Sequence, residues 1–170
     1  MNKGSGNMLR VINISEGTSV DGPGLRTSIY FAGCSHHCEG CHNPQSWSPE
    51  AGQDMTEDEI LAKIAYNDFP VTFTGGDPFF HAEAVAHLAK RIKDEQHRNI
   101  WCFTGYRWEQ LTKEERFRPL LEQIDVLVDG PFILKERNTQ LRFRGSDNQR
   151  IINVQESLRQ GRMVDITSQY

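Results

Sequence analysis

The sequence predicts an α/β protein folded as a compact, incomplete parallel β/α barrel. Stretches with strand character alternate with stretches of helical periodicity, which is typical of parallel sheets. Four polar or glycine-rich segments directly follow predicted strands, at the carboxyl ends where α/β folds place their sites. With 170 residues, the chain is short for an eightfold barrel of about 250 residues. An open barrel with one accessible side therefore fits better than a closed one.

The predicted strands are short and rich in β-branched and aromatic residues. In chain order they are Leu9–Ile14, Thr27–Ala32, Val71–Thr74, Asn99–Thr104, Asp125–Val128 and Ile151–Val154. A capping-box sequence at Thr56 predicts a helix that extends to about Ala65. Helical spacing predicts two more helices, over 82–95 and over 109–123, the second interrupted near Pro119.

Composition indicates one globular domain over residues 1–170, with residues 1–8 loose and residues 155–170 partly ordered. The net charge of −4 argues against nonspecific nucleic-acid binding as the main activity. No apolar run approaches the roughly 20 residues that a membrane helix needs. The first residues, MNKGSGNMLR, lack the apolar core of a signal peptide. We therefore expect a cytoplasmic protein.

Three cysteines, Cys34, Cys38 and Cys41, lie within eight residues in a CxxxCxxC pattern, directly after the second predicted strand. Three thiolates can hold three irons of a 4Fe–4S cluster and leave the fourth iron open, whereas four cysteines close the cluster of a ferredoxin. Cys102 lies far along the chain, inside a strand pattern, and is expected to be a core residue.

A structural zinc site is the alternative interpretation of the same pattern. The three thiolates and one of His36, His37 or His42 would make a site of the three-cysteine, one-histidine type. Spacing separates zinc from iron–sulfur poorly, so both stay open at this point. A disulfide is disfavoured, because an odd triplet cannot pair completely.

Glycines and carboxylates follow two further strands. Gly75, Gly76 and Asp77 come directly after the third predicted strand, and Asp129 ends the fifth. The two glycines would expose backbone groups to a ligand, and Asp77 has a charge suited to an ammonium or hydroxyl group. A plain strand-to-helix turn, with Asp77 near the helix start, is the alternative. The position after a strand favours the ligand interpretation.

Two other loops are less specific. The Asp21–Gly24 segment reads DGPG and is typical of a tight turn. Near the carboxyl end, Arg142, Arg144 and Arg150 surround hydrogen-bonding residues over 146–149. A solvated loop before the last strand would account for this segment, and a contact of the arginines with an anionic ligand or partner is the alternative interpretation.

The motifs together resemble the radical S-adenosylmethionine (SAM) superfamily, in which CxxxCxxC follows one barrel strand and a glycine motif follows the next. The DGPG segment and the tail RGSDNQRII are similar to the activating proteins of anaerobic (class III) ribonucleoside-triphosphate reductase. The resemblance extends from about Leu9 to Val154.

This resemblance implies a 4Fe–4S cluster on Cys34, Cys38 and Cys41, with the fourth iron chelated by the amino and carboxylate groups of SAM. One electron would then cleave SAM to methionine and a 5′-deoxyadenosyl radical, which takes a hydrogen atom from a glycine of the reductase. The implied partners are that reductase and a one-electron donor, for which flavodoxin is the candidate.

The resemblance also implies roles for single residues. Gly75, Gly76 and Asp77 would receive the SAM amino group through backbone oxygens, and Thr104 and Asp129 would belong to the floor of the SAM site.

Within the cysteine motif, Gly40 stands where many members of the superfamily have an aromatic residue. His42 therefore becomes the candidate for packing against adenine. Arg144, Asn148 and Arg150 would contact either SAM or the reductase. His36 and His37 would shape the cysteine loop or tune the cluster.

Two rival functions remain at the level of sequence. One is another small radical SAM enzyme that acts on a small molecule such as a deazapurine precursor. The other is a zinc-stabilised binding module without catalysis, which predicts a colourless protein with about one zinc per chain. The glycine motif argues against the module, which would have no use for it.

Overall fold

One open sheet of seven strands organises the molecule. The computed structural model describes residues 7–170. The strands are β1 Met8–Thr18, β2 Arg26–Phe31, β3 Gln53–Thr56, β4 Val71–Gly75, β5 Ile100–Phe103, β6 Val126–Asp129 and β7 Arg150–Asn153. Their order is β3-β1-β2-β4-β5-β6-β7, and the sheet does not close on itself. The predicted α/β class and the open architecture are confirmed.

The four central strands, β2, β4, β5 and β6, are parallel. Their carboxyl ends therefore meet at one edge of the sheet, which brings the segments after these strands together. The outer strands β1, β3 and β7 pair antiparallel to their neighbours. The connection over 130–149 begins and ends at the same edge, since Asp129 pairs with Arg150, so β7 must run against β6.

The described residues form five α-helices: α1 Glu57–Ala65, α2 Ala82–Arg91, α3 Trp108–Leu111, α4 Arg118–Leu121 and α5 Val154–Gln160. The capping box at the start of α1 is present: the Thr56 side chain accepts from the Glu59 N–H, and the Glu59 side chain accepts from the Thr56 N–H. The helix expected over 109–123 is instead two short helices, with Pro119 in the first turn of α4. A proline fits that position because the amide it lacks would be unpaired there.

Each face of the sheet has its own apolar cluster. Residues that alternate along the strands, such as Phe73 and Cys102, face the helices and form the main core. Cys102 is fully buried there, as expected. On the other face, Trp101, Val128 and Ile151 form a second cluster. Loop and tail segments, rather than helices, cover this second face.

Residues close to each end of the described range form regular structure. Of the segment expected to be loose, residues 1–6 lie outside the described residues, whereas Met8 begins β1. The carboxyl-terminal residues form α5 and a 3₁₀ turn over Thr167–Gln169, and the Tyr170 ring lies 5.4 Å from that of Trp101. Within residues 7–170, no helix combines the length and apolarity that crossing a membrane requires.

Candidate metal centre

The three cysteines of the loop after β2 face a common cavity of about 320 Å³. Cys34, Cys38 and Cys41 are all partly buried and carry free thiols. The cavity lies at the carboxyl ends of the parallel strands, because its walls include residues that follow β2, β4, β5 and β6. Besides the cysteines it is lined by Asp21, Tyr30, His36, His42, Asn43, Trp47, Thr74, Gly75, Gly76, Phe103, Thr104, Gly105, Gly130, Phe132, Gly145 and Gln149.

Backbone hydrogen bonds hold the start of the cysteine loop against the segment that follows it. The Gly33 N–H donates to the Ser46 carbonyl at 2.8 Å, and the Cys34 N–H donates to the Trp47 carbonyl at 3.1 Å. The loop then turns through a left-handed residue, His37, whose φ is 47°. The chain therefore curves back on itself between the first two cysteines.

Burial and backbone donors act on the thiols in opposite directions. Burial raises the pKa of Cys34 above its ordinary value, while hydrogen bonds from the N–H groups of His36 and His37 oppose this rise. Burial also raises the pKa of Cys38, and the N–H of Phe132 opposes it.

The third thiol has a backbone donor as well. The Asn43 N–H donates to Cys41 Sγ at 3.4 Å. Donors of this kind stabilise negative charge on sulfur, which a thiolate bound to iron carries. The donor set of the loop therefore fits an iron–sulfur cluster.

The structure requires glycine both at Gly75, which ends β4, and at Gly76, which follows it. A Cβ at Gly76 would lie 2.4 Å from the Gly33 carbonyl oxygen, so no larger residue fits between β4 and the cysteine loop. Gly75 has a φ of 101°, which is favourable only for glycine. Both residues line the cavity together with the cysteines. The two motifs that the sequence places after different strands are thus brought together.

Asp77 occupies a different place from the one its charge suggested. Its side chain is only 2% exposed, and its carboxylate accepts from the Phe79 N–H at the start of a 3₁₀ turn. It also accepts from the Thr104 hydroxyl at 2.9 Å and the Gly105 N–H at 2.9 Å. Protein donors therefore surround the carboxylate, and it is not among the described groups that line the cavity. Thr104 does line the cavity, but its hydroxyl donates to Asp77.

Asp129 is likewise turned away from the cavity. It is 1% exposed, and its carboxylate accepts from the Trp108 N–H at 2.8 Å. The Arg150 guanidinium donates to both of its oxygens and also to Glu109. Arg150, expected to meet SAM or the reductase, is paired within the chain. The hydrogen bonds that Arg150 donates to Glu109 hold the pKa of that carboxyl below its ordinary value.

The loop over 130–149 forms one wall of the cavity. Gln149 joins its two ends, since its side chain accepts from the Gly145 N–H and donates to the Gly130 carbonyl. The Asn148 side chain donates to the Pro131 carbonyl at 2.8 Å, and Arg144 donates to the Gln149 carbonyl. These two candidates therefore support the wall of the cavity.

Sequence reasoning missed several residues that line the cavity. Phe132 lies beside His42, with ring centroids 5.5 Å apart, and next to Gly40. It thus supplies an aromatic ring close to the position where Gly40 has none. An aromatic residue just after the end of β6 was the available signal for Phe132. Nothing in the local sequence marked Trp47, whose ring stacks on that of His37.

No three histidine, cysteine or carboxylate side chains within residues 7–170 converge on a point where a single metal ion could bind.

Comparison with known proteins assigns the chain to a family. Residues 20–152 match the family described as a 4Fe-4S single cluster domain. The chain is 39% identical over 139 residues to the anaerobic ribonucleoside-triphosphate reductase-activating protein of Vibrio cholerae, covering 76% of this chain and 88% of that protein. The protein of the same name from Haemophilus influenzae is 36% identical over 141 residues, with the same coverage. The one from bacteriophage T4 is 36% identical, covering 78% of this chain and 86% of that protein.

The chain belongs to the anaerobic ribonucleoside-triphosphate reductase-activating protein family.

This family and the matching 4Fe-4S domain agree with the resemblance that the cysteine, glycine and tail motifs indicated. The matched residues 20–152 run from the DGPG loop to β7. They include all three cysteines, the glycines after β4 and the loop that forms the cavity wall.

Proposed function

We propose that this chain activates anaerobic ribonucleoside-triphosphate reductase by generating a glycyl radical on it, with a 4Fe–4S cluster and SAM as cofactors. Besides membership of the family, one observation supports the proposal. Three free thiols and two glycines, at the ends of adjacent parallel strands, line the same cavity. We further infer that the open sheet is a partial barrel of the radical SAM type.

Cys34, Cys38 and Cys41 would hold the cluster, and the backbone N–H groups directed at their sulfurs favour the charged thiolates. When bound, the cluster and SAM supply one-electron cleavage of a carbon–sulfur bond and thereby a radical that can abstract hydrogen. The protein's own contribution is to orient the cofactors and to exclude water from the cavity.

Backbone groups are the best candidates for orienting SAM. Gly75 and Gly76 line the cavity and have no side chains, so their carbonyl groups are accessible to an ammonium group. The Asp77 carboxylate is already paired with protein donors, so its part is to support these glycines. His42 and Phe132, adjacent at the cavity rim, are proposed to pack against the adenine ring.

Thr104 and Asp129 have supporting roles in this proposal. Thr104 lines the cavity but commits its hydroxyl to Asp77, so only its other atoms are available to SAM. Asp129 fixes Arg150 and the start of α3 beneath the floor of the site.

The partner proposed here is the anaerobic reductase, which the names of the relatives specify. Flavodoxin is proposed as the electron donor, in the cytoplasm. Neither nucleic acid nor a membrane has a part in this proposal.

The test of the function is an anaerobic reconstitution with iron and sulfide. About four irons per chain, a reduced EPR spectrum that changes on SAM addition, and a glycyl radical in the added reductase are expected. One tightly held zinc without iron uptake would overturn the proposal. SAM cleavage without radical formation in the reductase would point to a small-molecule substrate.

A pair of variants separates ligand from scaffold. Cys41→Ala is expected to abolish cluster assembly or SAM cleavage. Cys102→Ala, in the main core, is expected to leave both largely intact. The opposite pattern would overturn the assignment of the ligands.

A further inference from the structure

His36 lies between the first two cysteines, but its side chain contacts the ends of other strands. The ring is 17% exposed, and its Nε2 lies 2.8 Å from Asp77 Oδ2, after β4. It also lies edge-on to Tyr106, after β5, with centroids 4.5 Å apart. Gly105 provides the space, since a Cβ there would lie 2.5 Å from the His36 ring. The ring therefore fits into a gap that the two strand ends form.

Asp77 contacts the chain on both sides of Cys34. Its N–H donates to the Gly33 carbonyl at 2.8 Å, one residue before the cysteine. Its carboxylate faces His36, two residues after the cysteine. Because the same carboxylate is held by Thr104 and Gly105, it is itself fixed. The position of Cys34 is thus defined from both sides by one buried residue.

His37, the next residue, provides the contrast. It is exposed and its ring stacks on Trp47, with centroids 4.6 Å apart, outside the gap between the strand ends. Two adjacent histidines in the same loop therefore make contacts of different kinds. Of these two histidines, His36 is the one that contacts the segments that follow β4 and β5.

We propose that His36 is a positioning residue that, through the buried carboxylate of Asp77, fixes Cys34 in the place required for cluster binding. The inference deepens the proposed function, because it concerns the same cysteine site. Nε2 has no well-aligned hydrogen-bond partner among the described residues. The contact with Asp77 therefore rests on the 2.8 Å approach of Nε2 to Oδ2 in a buried place, reinforced by the aromatic contact with Tyr106.

The first test uses cluster-free protein and measures amide hydrogen exchange in peptides that span residues 33–38. His36→Asn is expected to speed exchange there about tenfold, from the loss of one contact to a charged group. Exchange in β5 and β6 should stay at the wild-type rate. The matched control, His37→Asn, keeps a residue that tolerates left-handed backbone and is expected to exchange like the wild type. Equal rates in the two variants would overturn the proposal.

Rescue separates positioning from simple loss of packing. The amide nitrogen of His36→Gln reaches roughly as far as Nε2, whereas that of Asn stops short. Gln is therefore expected to restore slow exchange. When Asp77→Asn is already present, adding His36→Asn should raise the exchange rate over 33–38 little further. If Gln does not restore slow exchange, or if His36→Asn has its full effect on exchange in the Asp77→Asn variant, the role of Asp77 is overturned.

Reconstituted protein gives a second readout. Iron loss to a chelator is expected to be at least about tenfold faster in His36→Asn than in His37→Asn, as for other residues that orient metal ligands. Should the wild type take up no iron, the proposed function fails while the exchange experiment still decides the anchoring.

If His36→Asn does not fold, Gly105→Ala serves instead, because its methyl group displaces the His36 ring without removing any polar group from the chain. Unchanged exchange over 33–38 in that variant would also overturn the proposal.

Discussion

Asp77 and Asp129 show how the surroundings of a single residue decide its role. Both lie at or just after the carboxyl end of a parallel strand, both are less than 3% exposed, and both carboxylates are surrounded by protein donors. A buried carboxylate without partners would be strongly unfavourable, and here each has several. Their common function is to hold neighbouring strand ends and loops together. Neither of them lines the cavity, whose walls include the three thiols, several glycines and several aromatic residues.

The ion pair between Arg150 and Asp129 permits a quantitative prediction at the residue scale. Arg150→Met is expected to lower the free energy of unfolding by about 3 kcal/mol, because it leaves the buried Asp129 without its cationic partner. Urea denaturation measures the change. The pKa of Glu109 should also rise toward its ordinary value, because Arg150 is the main cause of its depression, and NMR titration follows that shift.

Arg162→Met is the control for this prediction, since Arg162 is exposed. Its replacement should change stability little. If both variants lose the same stability, the ion pair with Asp129 does not stabilise the fold.

At the scale of elements, the start of α1 offers a similar test. Thr56→Ala removes the hydroxyl that accepts from the Glu59 N–H, and the expected loss of stability is about 1 kcal/mol. Thr56→Ser retains the hydroxyl and should stay near the wild type. Thermal and urea unfolding of the two variants measure the difference. A Ser variant as unstable as the Ala variant would show that the cap is not the cause.

Strands and helices were predictable where the pattern was local. Composition located β2, β4, β5 and β6, and the capping box located α1, because these signals lie within a few residues. β3 was missed, since the sequence QDMT has no apolar alternation and forms a strand only by pairing with β1. The antiparallel direction of β7 depends on a twenty-residue loop, 130–149, that returns to its starting edge, which no local pattern reports.

The residues of the candidate site likewise fall into those that local sequence identified and those that depend on tertiary packing. Spacing identified the cysteines, and position after a strand identified Gly75 and Gly76. The place of Phe132 depends on how the loop after β6 docks, and that docking rests on side-chain contacts such as those of Gln149. The charge of Asp77 suited a ligand, and a position near a helix start was the alternative. The structure has Asp77 at the start of a 3₁₀ turn, while its packing against Thr104 became visible only in three dimensions.

For the molecule as a whole, the open sheet leaves one face without helices. The loop over 130–149 and the carboxyl-terminal segment cover it. Their contact is aromatic: the Phe143 ring lies 5.6 Å from Trp101 and 5.7 Å from Tyr170. Phe143 also has a φ of 61°, an unfavourable conformation for a bulky residue. Packing of its ring between the sheet and the tail supports that backbone, and with it one wall of the cavity.

Tyr170→Ala tests this arrangement. The change removes two aromatic contacts, with Trp101 and Phe143, each stabilising by roughly 0.5–1.5 kcal/mol beyond burial. The free energy of unfolding should therefore fall by about 1–3 kcal/mol, measured by urea denaturation with tryptophan fluorescence. Tyr66→Ala is the matched control, because Tyr66 is 83% exposed and its loss should have little effect. Equal stability of the two variants would mean that the loop over 130–149 covers the second face of the sheet without a stabilising contribution from the tail. A larger loss in Tyr170→Ala, with faster amide exchange over 142–149, would show that the tail stabilises the wall of the cavity through its contact with Phe143.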